Sequence, residues 1–115
     1  MTIGLTISGT YNTSKGQTTD LMLVLQEANN NGDESSGNLN LGVIYHAYMN
    51  RASRDADKND IVQGTIWIDG TTDGFDMRDS ITIAEGTEAT PTEIYNQCQL
   101  ALQARGLTVT QETDT

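Results

Sequence analysis

The chain has a single cysteine, Cys98, so no disulfide can form within it. It must hold together by a packed core or by association. A single histidine, His46, rules out sites built from several imidazoles. Basic residues are scarce: six Lys and Arg face sixteen Asp and Glu, for a formal charge of −10. Phosphate backbones and anionic lipid surfaces repel such a chain, so neither direct nucleic-acid binding nor membrane-surface binding is expected. Long apolar runs are missing as well. The longest, Leu21 to Leu25, falls far short of the ~20 residues needed to span a bilayer. The start, Met1-Thr2-Ile3-Gly4-Leu5, has no basic leader, and no secretion signal is expected. Proline occurs once, at Pro91.

What is present reads as one domain over residues 1–115, with short apolar clusters set between polar stretches. Thr2 to Tyr11 alternates, with Ile3, Leu5 and Ile7 on one face, which predicts a strand. Residues 20–28 suit either a central strand or a short helix; the five-residue apolar run favours the strand. Residues 39–50 have the same ambiguity, and their β-branched and aromatic content favours a strand. Residues 51–60 form a charged connection or a helical turn. Strands are predicted at Ile61 to Asp69 and Ser80 to Ala84. Residues 12–19 and 29–38 are expected to be mobile polar loops.

The clearest local pattern is near the end. Thr90-Pro91-Thr92-Glu93 forms a capping box, with Pro91 at the first helical position. Ile94, Cys98, Ala101 and Arg105 make one row, with Tyr95 and Leu102 beside it. Gly106 sits where a left-handed cap is wanted, and Leu107 is placed to meet Leu102 across it. A helix over Pro91 to Arg105 and a short strand over Leu107 to Gln111 follow. The predicted class is α+β: an antiparallel sheet or small β-sandwich, one C-terminal helix packed on it, and a final short strand.

Chemistry-bearing motifs are few. Cys98 lies on the apolar row of the helix and reads as an inert core thiol. Gly9 to Gly16 contains glycine and lysine without the spacing of a phosphate loop. Asp55-Ala56-Asp57-Lys58-Asn59-Asp60 opens like a calcium loop, but Asp60 stands where glycine is required and Ile66 where a bidentate glutamate is required. Tyr45, Tyr48 and Trp67 read as core anchors rather than an aromatic groove. No catalytic residue, metal or cofactor is expected. The residues singled out for an interaction surface are Asp55, Asp57, Asp60, Asp69, Asp73, Asp76 and Asp79.

Trp67-Ile68-Asp69-Gly70-Thr71-Thr72-Asp73-Gly74 resembles a turn in the small head-decoration proteins of lambda-like bacteriophages. The abundance of Thr, Asn, Gly and Asp is similar to that of small phage virion proteins of head or tail. The resemblance implies a homo-oligomer or a subunit bound to a virion lattice, located in the virion or the host cytoplasm. The expected function is therefore that of a non-enzymatic viral structural or assembly protein acting through protein–protein contacts. The second expectation is an acidic phage-type inhibitor of a host defence or nucleic-acid-binding protein. The third is a small hydrolase or ligand-binding domain.

Overall fold

The computed structural model describes residues 1–33, 37–57, 61, 65–72 and 74–113. In chain order the elements are β1 (Thr2–Thr13), β2 (Gly16–Asp33), β3 (Leu39–Tyr48), α1 (Arg51–Asp55), β4 (Thr65–Ile68), β5 (Gly74–Asp76), β6 (Arg78–Ile83), α2 (Pro91–Ala104) and β7 (Thr108–Thr113). The strands make one curled sheet in the order β5-β4-β1-β2-β3-β6, with β7 also paired to β1. Every pairing between these strands is antiparallel. The class is α+β as the sequence predicts, and a single sheet takes the place of a sandwich.

β1 is the organising strand. Leu5 and Ile7 lie opposite Leu23 and Leu21 of β2, and all four side chains are fully buried. Burying a side chain of this size contributes roughly 1.5–3 kcal/mol, so a one-residue slip that exposed the row is strongly disfavoured. Met22, between them, is also fully buried, and its methyl end lies over Gly4. This two-sided burial explains why Leu21 to Leu23 carry no alternation. Between Ser8 and Tyr11 the β1–β2 register shifts. Past that irregularity β1 changes partner on its other edge, from β7 along Thr2 to Ser8 to β4 at Tyr11 and Asn12.

Several sequence expectations change here. Residues 12–19 are not a loop: β1 runs to Thr13, β2 restarts at Gly16, and only Ser14 and Lys15 turn. The Thr13 hydroxyl closes that turn by donating to the Gly16 carbonyl (2.7 Å) and accepting from the Lys15 N–H (3.1 Å). Of residues 29–38, Asn29 to Asp33 continue β2 against β3, and 34–36 lie outside the described residues. Backbone pairing to β3 carries this polar stretch, which has no apolar pattern by which it could be recognised. The strand expected from Ile61 to Asp69 is shorter. Ile61 makes an isolated bridge to Ala47, 62–64 lie outside the described residues, and β4 begins at Thr65.

Helix α2 starts at Thr90, whose hydroxyl accepts from the Glu93 N–H at 3.1 Å. The reciprocal half of the capping box is replaced. The Thr90 N–H is already donated to the Glu88 carbonyl (2.9 Å), so the Glu93 carboxylate turns to the side-chain amides of Asn96 (3.4 Å) and Gln97 (3.1 Å). At the other end Gly106 has φ +87, the left-handed conformation that glycine adopts without a Cβ penalty. It donates to Gln103, and Leu107 donates to Leu102, which is the Schellman pairing. Tyr95, Cys98 and Leu102 are the buried row of α2. The helix packs on β6, β7 and β1, so it spans the inside of the curl.

Candidate functional site

The β4–β5 hairpin carries an aromatic side chain that the core does not absorb. Ile66 of β4 is buried and Ile68 is partly buried against the core. Trp67 alternates to the opposite face and is 47% exposed. It is the chain's only tryptophan. The tyrosines grouped with it by sequence behave as core anchors: Tyr45 and Tyr48 are both buried. Trp67 is thus a correction to the expectation that all three anchor the core.

Its surroundings are built around it. In register, Trp67 pairs with Gly74 of β5 on one side and Asn12 of β1 on the other, and Asn12 pairs in turn with Gln17 of β2. These residues form one lateral row on one face. A Cβ at Gly74 would stand 2.9 Å from Trp67 Cε3, so only glycine allows the indole its position against β5. On the other side is an amide–carboxylate network. Asn12 Nδ2 donates to Asp69 Oδ1 (3.0 Å), and Gln17 Nε2 donates to Asn12 Oδ1 (3.0 Å) and Asp69 Oδ1 (3.3 Å). Two residues before Trp67, the Thr65 hydroxyl donates to Asp76 Oδ1 (3.4 Å), and Thr65 and Asp76 are register partners. Thr65, Trp67 and Asp69 fall on one side of the strand by the two-residue period. The indole therefore lies between two exposed carboxylates, Asp69 and Asp76, each held by a side-chain donor. No ion pair reaches either of them among the described residues.

The other acidic residues go elsewhere. Asp60 and Asp73 lie outside the described residues. Asp55 is bonded to Arg51 (3.0 Å) and Arg54 (3.2 Å) in α1, and these guanidinium groups hold its carboxyl below the usual range. Asp57, in a left-handed conformation just past α1, accepts from the Tyr48 hydroxyl at 3.1 Å. Asp79 is not a surface acid. Its side chain is 11% exposed and pairs with Arg105 at 3.2 Å. The sequence spacing treats the seven aspartates alike, whereas the sheet register places Asp69 and Asp76 on the face of Trp67, towards opposite ends of its strand. Asn12 and Gln17, which complete the site, give no sequence signal because their contribution depends on cross-strand pairing.

Two other groupings are less suited to binding. Beneath α2, Cys98 and Tyr45 are buried together, with Asp79 and Arg105 at their border. Burial pushes the Cys98 thiol up to about 11 and raises the Tyr45 phenol far beyond its ordinary range. Such a thiol is protonated and inaccessible at neutral pH, the opposite of a nucleophile. Among the described residues the Tyr45 hydroxyl has only the Cys98 thiol beside it, and Asp79 Oδ2 is buried with no donor. Near α1 is an open cleft of ≈ 340 Å³ lined by Thr6, Asp20, Asn50, Arg51, Ala52 and Glu112. Its polar groups are largely satisfied internally: Arg51 by Asp55 and the Thr113 carbonyl, Thr6 by Glu112. Among the described residues, no three His, Cys, Asp or Glu side chains converge as metal ligands, and no helix is long and apolar enough to cross a membrane.

No family model, curated protein or solved structure matches this chain.

Proposed function

We propose that this chain is a non-enzymatic structural or assembly protein that acts through protein–protein contacts, with the Trp67 face of the β4–β5 hairpin as its contact surface. The observation that carries the reading is the exposure of Trp67 on a backed, hydrogen-bonded frame. Tryptophan dominates binding energy at protein interfaces because a large rigid ring loses little entropy on docking. The indole lies against Gly74 of β5 and still keeps about half of its surface in solvent. The setting is a virion lattice, as the resemblance of residues 67–74 to a phage decoration turn implies.

The test is co-sedimentation with particles from the source that makes the protein, using wild-type chain and Trp67→Ala. The expected result is that the wild type travels with particles and the variant stays in the supernatant, with equal circular dichroism and equal melting. A wild-type chain that sediments only as free monomer, or a variant retained like wild type, overturns the proposal.

A further inference from the structure

We propose that α2 guards the outer edge of β7, with the Gln99 side-chain amide holding that edge shut against strand pairing by a second copy of this chain. This device is separate from the Trp67 surface and does not depend on it.

β7 is an edge strand. It pairs β1 along one side, and among the described residues no strand pairs its other side. The direction of its backbone groups follows from β1. The Ile3 carbonyl and the Leu25 N–H both reach the Tyr95 hydroxyl between β1 and β2. Ile3, and by the two-residue period Leu5 and Ile7, therefore turn their backbone groups towards β2. Gln111 and Val109 are the β7 partners of Leu5 and Ile7, so their own N–H and C=O groups point away from β1. Open groups on such an edge are a template for another strand. The β7 sequence, Thr-Val-Thr-Gln-Glu-Thr, is rich in β-branched residues and has no lysine or proline to discourage pairing.

α2 supplies the protection that the strand itself lacks. From Gly106 the helix runs back along β7. The Leu107 N–H donates to the Leu102 carbonyl, Gln99 Nε2 donates to the Val109 carbonyl (3.0 Å), and Gln111 Nε2 donates to Asn96 Oδ1 (2.6 Å). The bond at Val109 takes the place of one that a neighbouring strand would make. Its donor is oriented by a chain of amides. Thr2 Oγ1 donates to Gln111 Oε1 (2.8 Å), which turns Gln111 Nε2 towards Gln99 Oε1 (2.9 Å). With its oxygen engaged there, Gln99 presents its NH2 group to the edge. The reversed amide would set donor against donor at Gln111 and acceptor against acceptor at Val109. Asn96 is held in turn by Glu93 (3.4 Å).

A second copy is the strand that fits this edge. An antiparallel pair of β7 strands centred on Thr110 sets Val109 against Gln111 and Thr108 against Glu112. The outward backbone groups then meet one another, and no like charges stand opposite.

Gln99→Met keeps the length of the side chain and removes the donor. Gln99→Glu also removes it, adding charge instead of apolar surface. Both variants are expected to self-associate with rising concentration in sedimentation velocity, Gln99→Glu more weakly. Hydrogen exchange locates the contact. In both variants the Val109 and Gln111 amides should slow by roughly tenfold or more from dilute to concentrated samples, and in wild type they should not change with concentration. Thr110→Lys, at an exposed position in the centre of the pair, should return Gln99→Met to wild-type behaviour. Gln111→Met leaves Gln99 in place without orienting it. It should give the same association more weakly, and it tests the guard if circular dichroism shows the Gln99 variants unfolded. Folded variants that stay monomeric, association of Gln99→Met without Gln99→Glu, or association that leaves the Val109 and Gln111 amides unchanged overturns the proposal. So does a wild type whose edge amides already slow with concentration.

Discussion

The Tyr95 hydroxyl of α2 accepts a hydrogen bond from the Leu25 N–H at 2.9 Å and donates to the Ile3 carbonyl at 3.2 Å. Leu5 opposite Leu23 is the last register pair between β1 and β2. Two residue pairs beyond it, at Ile3 and Leu25, where a further rung would lie, the tyrosine bridges the two backbones. Burial holds the phenol above its ordinary range, against the lowering effect of the Leu25 N–H. Tyr95→Phe removes this bridge and leaves two part-buried backbone groups unpaired. The expected loss is about 1–3 kcal/mol in urea unfolding with the fold retained. Hydrogen exchange at the Leu25 amide should accelerate locally.

Alkaline pH should destabilise the protein. The Cys98 thiol is protonated in the fold up to about 11, against an ordinary value of 9.0. Below pH 9 neither folded nor unfolded chain ionises it, and its contribution to stability is fully present. Between those two values the unfolded chain has lost a proton that the folded chain retains, so stability falls. Tyr11, Tyr45 and Tyr95 are all shifted upward by burial and act in the same direction at higher pH. Denaturant midpoints from pH 7 to pH 11 measure this. A flat profile would contradict the buried placement of these groups. At pH 8 the native thiol should resist alkylation and react promptly once unfolded.

Removing Arg105 should cost more than removing the carboxylate it pairs with. Asp79 is largely buried beside Tyr45, whereas the Arg105 side chain is 40% exposed. Arg105→Ala strands a buried charge, with a cost between the ~0–1 kcal/mol of an exposed pair and the ~3–5 kcal/mol of a broken buried one. Asp79→Asn, made together with Arg105→Ala, should recover part of that loss. A double-mutant cycle by thermal or urea unfolding reads the difference.

Gly74→Ala tests how the indole is held. The added methyl would meet the Ile66 carbonyl, Thr65 Cγ2 and Trp67 Cε3, each at 2.9 Å. The hairpin must open or the indole must swing away. Trp67 emission should shift, and particle association should drop towards that of Trp67→Ala. An unchanged spectrum would mean that β5 does not position the ring.

The sequence by itself determined the elements whose signals are local. Helix α2 was legible from Thr90, Pro91 and Gly106, because capping and left-handed cap geometry depend on neighbours a few residues away. The β1 strand was legible from Ile3, Leu5 and Ile7, because alternation records one buried face. The antiparallel α+β class followed from these and from the order of the strands. The polar half of β2 was not legible: Asn29 and Asn30 have no apolar pattern, and their strand state comes from pairing with Gly42 and Leu41. The site was legible only in part. Asp69 and Asp76 stood out as two acids among seven. That they flank an exposed Trp67, and that Asp79 is drawn beneath α2 to Arg105, was decided by tertiary structure. Register brings Asn12 and Gln17, more than fifty residues before Asp69, into one row with the indole. No spacing along the chain encodes such a contact, because it depends on which strand edges meet.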